Sequence, residues 1–284
     1  MAANDLCQEL VKGTHFDNTT LEKICNVFIK HLDEPTSDIK GNAIKCLAKI
    51  VTRIPDHQVT EICTKLVQNL VNPQKEEVKN YDIYATCLKT LINEVTEDFA
   101  EVMCKTLASA GLVQRTKIPE INEELIEITN QLIKRFTNYL IKNSTVLDRP
   151  KLTKDLLDNV SNDRSSLRRR SSNCLGTLSI ILAQKDVLVI ADTLFGSMKA
   201  NIDKKTLLNY TFALNSVTKT SANKLAPVTP KLVPFILADI KSRLDQEPDD
   251  VDFQSELLDY YLSIIDSFIK KAHKEITPHL PDIL

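Results

Sequence analysis

One seven-residue register returns along this chain at nearly even intervals. With Lys45-Cys46-Leu47-Ala48-Lys49-Ile50-Val51 as reference, comparable segments start at Asn4, Thr86, Asn130, Asn173, Phe212 and Asp259. The starts 4, 45, 86, 130, 173, 212 and 259 are separated by 41, 41, 44, 43, 39 and 47 residues. The third position of the segments reads Leu6, Leu47, Leu88, Leu132, Leu175, Leu214 and Tyr261. A period of that length has room for two helices. A lone helix pair cannot enclose its own apolar face, so each must stack on the next.

The residues within a period read as such a pair. Leu21, Ile24, Cys25, Phe28 and Ile29 fall at helical spacing after an N-cap at Thr19 or Thr20, and Pro35 interrupts. Thr36, Ser37 and Asp38 offer caps for a second helix that is expected to bury Ile39, Ala43, Cys46, Leu47, Ile50, Val51 and Ile54 and to end at Pro55. The next period repeats this with Val59, Ile62, Cys63, Leu66, Val67 and Leu70, a stop at Pro73, and then Ile83, Cys87, Leu88, Leu91, Ile92 and Val95. The expected fold class is all-α, a HEAT-repeat right-handed α-solenoid of antiparallel helix pairs, with an inner wall formed by the second helices. A single array over 1–284 divides into a partial unit 1–17, units 18–56, 57–97, 98–144, 145–184, 185–223 and 224–276, and the start of another at 277–284. The first segment leaves no room for a leading helix, and Thr277–Leu284 resembles the start of a further one. The expectation is therefore a piece of a longer array, or half of a split one.

Composition removes several function classes. Only 5 Gly and 5% aromatic residues argue against a sheet protein. A net charge of −2 gives no global reason for nucleic acid or an anionic membrane as partner. No apolar run approaches the roughly 20 residues of a membrane span. The seven cysteines, Cys7, Cys25, Cys46, Cys63, Cys87, Cys104 and Cys174, form no CxxC pair and mostly fall on apolar helix faces. They are expected as reduced core residues of a cytoplasmic or nuclear protein. The chain carries no nucleophile elbow, phosphate loop or dinucleotide fingerprint, and its glycines are isolated. No enzyme activity, cofactor, metal or small-molecule substrate is expected. His273, Glu275 and His279 straddle a helix end and a proline, a poor metal frame, and read as solvated surface groups.

Charged features mark candidate contact surfaces instead. Arg164, Arg168, Arg169 and Arg170 open the second helix of the 145–184 unit. One reading places them in a solvated turn with an Asp–Arg ladder through Asp163; another pairs their guanidinium forks with a partner's carboxylates. The run Arg169-Arg170-Ser171-Ser172 also matches a kinase or nuclear-import signal. Lys45, Lys49 and Arg53 fall at i, i+4 and i+8 along one stripe of a second helix. Asp245, Glu247, Asp249, Asp250 and Asp252 form an acidic loop that either binds or solubilises.

Several segments resemble the N-terminal repeats of the cullin-associated, neddylation-dissociated protein family. They are Met1-Ala2-Ala3-Asn4-Asp5-Leu6, Asn42-Ala43-Ile44-Lys45-Cys46-Leu47, Leu167-Arg168-Arg169-Arg170 with Cys174-Leu175-Gly176-Thr177-Leu178, and Lys274-Glu275-Ile276-Thr277-Pro278-His279. The likeness is collinear in unit order and spacing, and weakest near Gln131 and Arg135, which stand where apolar residues are expected. It implies a non-catalytic scaffold that wraps a cullin and its RING subunit and covers the lysine that accepts the ubiquitin-like modifier. Such a scaffold contributes to substrate-receptor exchange, here with a possible second chain completing the solenoid. The contact residues then expected are Lys45, Lys49, Arg53, Arg168 and Arg169. The alternatives within the fold class are a nuclear transport receptor or adaptor and a phosphatase scaffold.

Overall fold

The computed structural model describes residues 5, 8–9, 12, 16–34, 36–72, 80–200, 202–245 and 249–283. They form helices and turns, with no strand among them. The chain divides into two compact units, Met1–Asp148 and Arg149–Leu284. The first holds α1 (Asn18–His31), α2 (Ser37–Ile50), α3 (Asp56–Val71), α4 (Tyr81–Glu94), α5 (Ala100–Ser109), α6 (Pro119–Arg135) and α7 (Thr137–Lys142). The second holds α8 (Arg149–Asp158), α9 (Ser165–Ile181), α10 (Gln184–Lys199), α11 (Lys204–Ser221), α12 (Thr229–Leu244), α13 (Val251–Lys271), α14 (His273–Ile276) and α15 (Leu280–Ile283). Within the first unit α1 packs on α2 and α3 on α4, and the second helices stack α2 on α4 on α6. Within the second unit α8 packs on α9, α10 on α11 and α12 on α13, with α9, α11 and α13 side by side. Each unit is thus a stretch of all-α solenoid built from helix pairs.

The repeated register is the spine of both stacks. Leu47 is 1% exposed, and Leu88, Leu132, Leu175, Leu214 and Tyr261 are fully buried. Each such side chain contributes about 1.5–3 kcal/mol on leaving water. Leu6 and the rest of its segment, apart from Asp5, Gln8 and Glu9, lie outside the described residues, as do Pro35, Pro73 and Cys7.

Local capping departs from expectation. The N-cap of α1 is Asp17, whose carboxylate accepts from the Thr20 amide at 2.9 Å, rather than Thr19 or Thr20. Asp203 does the same for α11 through Thr206, and Asp250 for α13 through Phe253. In each case the first turn leaves amides without helical partners, and a carboxylate there also meets the positive end of the helix dipole. Ile39, expected in the core, is 37% exposed because it sits in the first turn of α2, beyond the edge of the pair. The second helix stops at Ile50, and Pro55 serves as the N-cap of α3 rather than as the end of α2.

The C-termini of α4, α9 and α11 are closed by cations, from the following pair or, for Arg149 at the start of α8, from within the same pair. Arg135 on α6 donates to the carbonyl of Val95, the C-cap of α4, one period away. Lys224 donates to the carbonyls of Ser179, Ile180 and Leu182 at 2.9, 2.7 and 2.8 Å, and Arg149 donates to Ile181 at 2.5 Å. Lys271 likewise reaches the Lys219 carbonyl near the end of α11. The last four carbonyls of a helix have no helical donor and carry the negative end of the dipole. This explains a charged residue at Arg135, where the register suggested an apolar one. Arg135, Lys224 and Lys271 thus address backbone carbonyls of a neighbouring pair.

Two contacts are specific to the second unit. Gly176 on α9 meets α11 so closely that a methyl there would lie 2.8 Å from the Ser216 carbonyl carbon. Thr220 donates to the Gly176 carbonyl at 2.7 Å, and Ser179 pairs with Ser221 at 2.8 Å. Among the cysteines, Cys25, Cys63, Cys87, Cys104 and Cys174 are buried and free. Cys46 is disulfide-bonded, against the expectation of a reduced thiol. Sequence spacing does not report the Cα separation on which a disulfide depends.

Candidate protein-binding groove

Three second helices side by side leave a groove of about 240 Å³ on the second unit. From α9 it takes Ser165, Arg168, Arg169 and Ser172; from α11 Lys205, Leu208, Asn209 and Phe212; from α13 Glu256 and Tyr260. Within each helix these positions recur at three- and four-residue steps, which places them on one face. The Arg169 guanidinium stands 5.6 Å from the Phe212 ring centre. The Phe212 and Tyr260 rings are 5.4 Å apart and tilted by 51°. Tyr260 donates its hydroxyl to Glu256. Burial first, and then this hydrogen bond, push the Tyr260 hydroxyl up to about 12, so it remains a donor at neutral pH.

Charge in the groove is lopsided. Arg168 turns back and donates to the carbonyls of Asn162 and Asp163 at 2.6 and 2.8 Å, which pins the turn that opens α9. Among the described residues no carboxylate pairs with the side chains of Arg169 or Lys205. Nearby acids have other tasks: Glu256 accepts from Tyr260, Asp203 caps α11, and Asp249 pairs with Lys204 at 2.6 Å. The surface therefore combines net positive charge with an aromatic floor. Arg and Tyr are enriched among residues that dominate binding at protein interfaces.

The other expected contact residues have separate fates. Lys45 and Lys49 are exposed on α2. Arg53 is exposed too, but in the turn after that helix, so the expected stripe loses its helical spacing beyond Lys49. Ser171 and Ser172 are 0% and 1% exposed, which withdraws them from a kinase in the folded chain. Of the acidic loop, Asp250 is an N-cap and Asp249 an ion-pair partner, while Glu247 lies outside the described residues. His273 is exposed, with Glu275 and His279 half-buried, and among the described residues no three potential ligands gather around a metal position. No helix among them is long and apolar enough to cross a membrane. Lys205, Phe212 and Tyr260 were not anticipated as site residues. The available signal was their place in the register: Phe212 opens one repeat segment, and Tyr260 is the second residue of the next.

No protein-family model matches the chain. Cullin-associated NEDD8-dissociated protein 1 of Dictyostelium discoideum is 23% identical over 295 residues, spanning 100% of this chain and 23% of that protein. The Drosophila melanogaster protein of the same name is 24% identical over 291 residues, with 100% and 22% covered. Cullin-associated NEDD8-dissociated protein 2 of Mus musculus is 23% identical over 295 residues, again with 100% and 22% covered. The chain resembles these cullin-associated proteins from end to end. The family resemblance drawn from Asn42–Leu47, Leu167–Leu178 and Lys274–His279 is the one found. The chain spans less than a quarter of the length of these relatives. An engineered protein of known structure overlaps 90% of this chain and 64% of its own at 14% identity and a TM-score of 0.42, too loose a match to carry an argument.

Proposed function

We propose that this chain is a non-catalytic scaffold that binds a cullin with its RING subunit and hinders cullin neddylation by covering the acceptor lysine. The observation that carries this is likeness along the whole chain, in unbroken order, to proteins whose names describe association with cullins. The physical mode is steric exclusion by helix pairs over a broad surface. Wrapped interfaces of this sort bury more than about 2,000 Å², and an exposed ion pair adds only about 0.2–1 kcal/mol. Affinity would then reside in many contacts and a few anchors. Lys45, Lys49, Arg53, Arg168 and Arg169 remain the proposed contact residues, with Arg168 acting mainly by shaping the turn beneath Arg169. A chain matching under a quarter of its relatives would perform one part of their task, contributing to receptor exchange and ligase assembly alongside a further segment or chain. Five free buried cysteines favour the cytoplasm and nucleus as its compartments, while the Cys46 disulfide is the one feature that runs against them.

The test is a titration of the purified chain with unmodified cullin–RING heterodimer, followed by an in-vitro neddylation assay. Stoichiometric binding that slows modifier transfer is expected. Absence of binding, or binding that leaves the transfer rate unchanged, would remove the proposal.

A further inference from the structure

We infer that the groove across α9, α11 and α13 is a docking site for an acidic peptide segment bearing an aromatic side chain, with Arg169 and Lys205 as the charge readers and Phe212 and Tyr260 as the floor. If the proposed function holds, the segment belongs to the cullin–RING partner, and to that extent the inference rests on that reading.

Charge complementarity selects the occupant. Arg169 and Lys205 share the groove without a carboxylate of their own, and Glu256, the acid among the lining residues, is held by Tyr260. Two like charges held together raise the energy of the empty surface, and an arriving carboxylate relieves it. Some other basic side chains on this unit are neutralised internally. Lys204 pairs with Asp249, Arg243 with Asp239 at 2.8 Å, and Lys270 with Asp266 at 2.7 Å. Arg169 and Lys205 have no such partner among the described residues. Stacking over Phe212 holds the Arg169 guanidinium in place while its edge remains able to donate, the geometry in which arginine takes a carboxylate bidentately. The floor supplies the second requirement. The Phe212 and Tyr260 rings, 5.4 Å apart and tilted by 51°, give an incoming ring an aromatic surface to pack on. A volume of about 240 Å³ accommodates one large side chain with its neighbours at the rim.

Fluorescence titration with a short labelled peptide of alternating glutamate and phenylalanine tests the groove directly. A lysine–phenylalanine peptide and a glutamate–serine peptide serve as comparators. The wild-type chain is expected to prefer the first, with an affinity that falls as salt rises. In a variant carrying Arg169→Glu and Lys205→Glu, both exposed positions, that affinity is expected to drop roughly tenfold or more. Phe212→Ala should erase the preference for phenylalanine over serine. A control carrying Lys185→Glu and Lys231→Glu makes the same charge change at exposed sites outside the groove and should bind as wild type. Equal binding of the glutamate and lysine peptides, or unaltered binding by the groove variant with its helicity intact, overturns the inference. The same proteins are then titrated with unmodified cullin–RING heterodimer. If wild type binds the acidic peptide but not the heterodimer, the proposed function fails and the groove stands. If wild type and groove variant bind the heterodimer equally, the assignment of the segment to that partner fails.

Discussion

Gly176→Ala should unfold the second unit at markedly lower denaturant than wild type, although alanine is ordinarily the better helix former. The added methyl would lie 2.8 Å from the Ser216 carbonyl carbon, where ordinary contact begins at 3.4 Å. Backbone cannot swing aside as a side-chain tip can, so α9 and α11 must part by at least about 0.6 Å, the difference of those distances. Overpacking of this sort costs about 1–3 kcal/mol. The same movement stretches the bond from Thr220 to the Gly176 carbonyl (2.7 Å) and the Ser179–Ser221 bond (2.8 Å) towards the outer limit of a hydrogen bond. Their loosening adds about 1 kcal/mol. Helix propensity returns about 1 kcal/mol. The net destabilisation is about 2 kcal/mol, or a fall of roughly 1 M in the urea midpoint of this unit. Stacked pairs need not unfold as one body, so the transition is best followed by hydrogen exchange at α9 and α11 alongside circular dichroism. Gly196→Ala on α10 is the matched control, because nothing lies within 4 Å of its added methyl. It should stabilise by about 0.5–1 kcal/mol. The reasoning is refuted if Gly176→Ala is as stable as wild type or as Gly196→Ala.

Two further outcomes follow from the packing. Lys224→Met keeps the apolar stem but removes the donor to three α9 carbonyls, and should destabilise the second unit by about 1–2 kcal/mol with faster amide exchange at the end of α9; wild-type stability would show that Arg149 alone closes that terminus. Burial and the nearby Arg149 hold the Lys224 ammonium below its usual range, whereas three carbonyl acceptors favour its charge, and the prediction rests on the acceptors. Burial pushes the Cys25 thiol up to about 11 and the Cys63 and Cys104 thiols up to about 12. A raised thiol value contributes stability that is complete below the unfolded value of 9.0 and is lost as pH rises towards 12, so the urea midpoint should fall across that window. These thiols should also resist a thiol reagent at pH 8 until the chain unfolds; rapid labelling of the native protein would contradict their burial.

Helix pairing was legible from the residues because the period of an apolar register is a local property. Whichever way the pairs turn, Leu47, Leu88, Leu132, Leu175 and Leu214 have to face a neighbour. The same holds for the buried faces of α1 and α3, where every apolar residue expected inside is buried and α3 adds only the polar Gln58. Failures came at helix ends, where one residue of offset changes the partner: Asp17 for Thr20, Ile39 left outside, Pro55 capping the next helix.

The groove was half legible. Arg168 and Arg169 stood out as a charge run, but their roles diverged once the turn at Asn162 and Asp163 was in place, and one became a brace while the other stayed available. Lys205 and Phe212 share one face of α11, but that helix lies most of a period or more from Arg169 and from Tyr260 along the chain, and nothing local joins the three helices. Amphipathic spacing dictated that pairs form and stack. Which side chains meet across neighbouring pairs depends on how closely the helices approach, as at Gly176 and Ser216, and on which cation reaches which carbonyl, as Arg135 and Lys224 do. Those distances come from packing between residues some forty positions apart, and a pattern read within one helix contains no term for them.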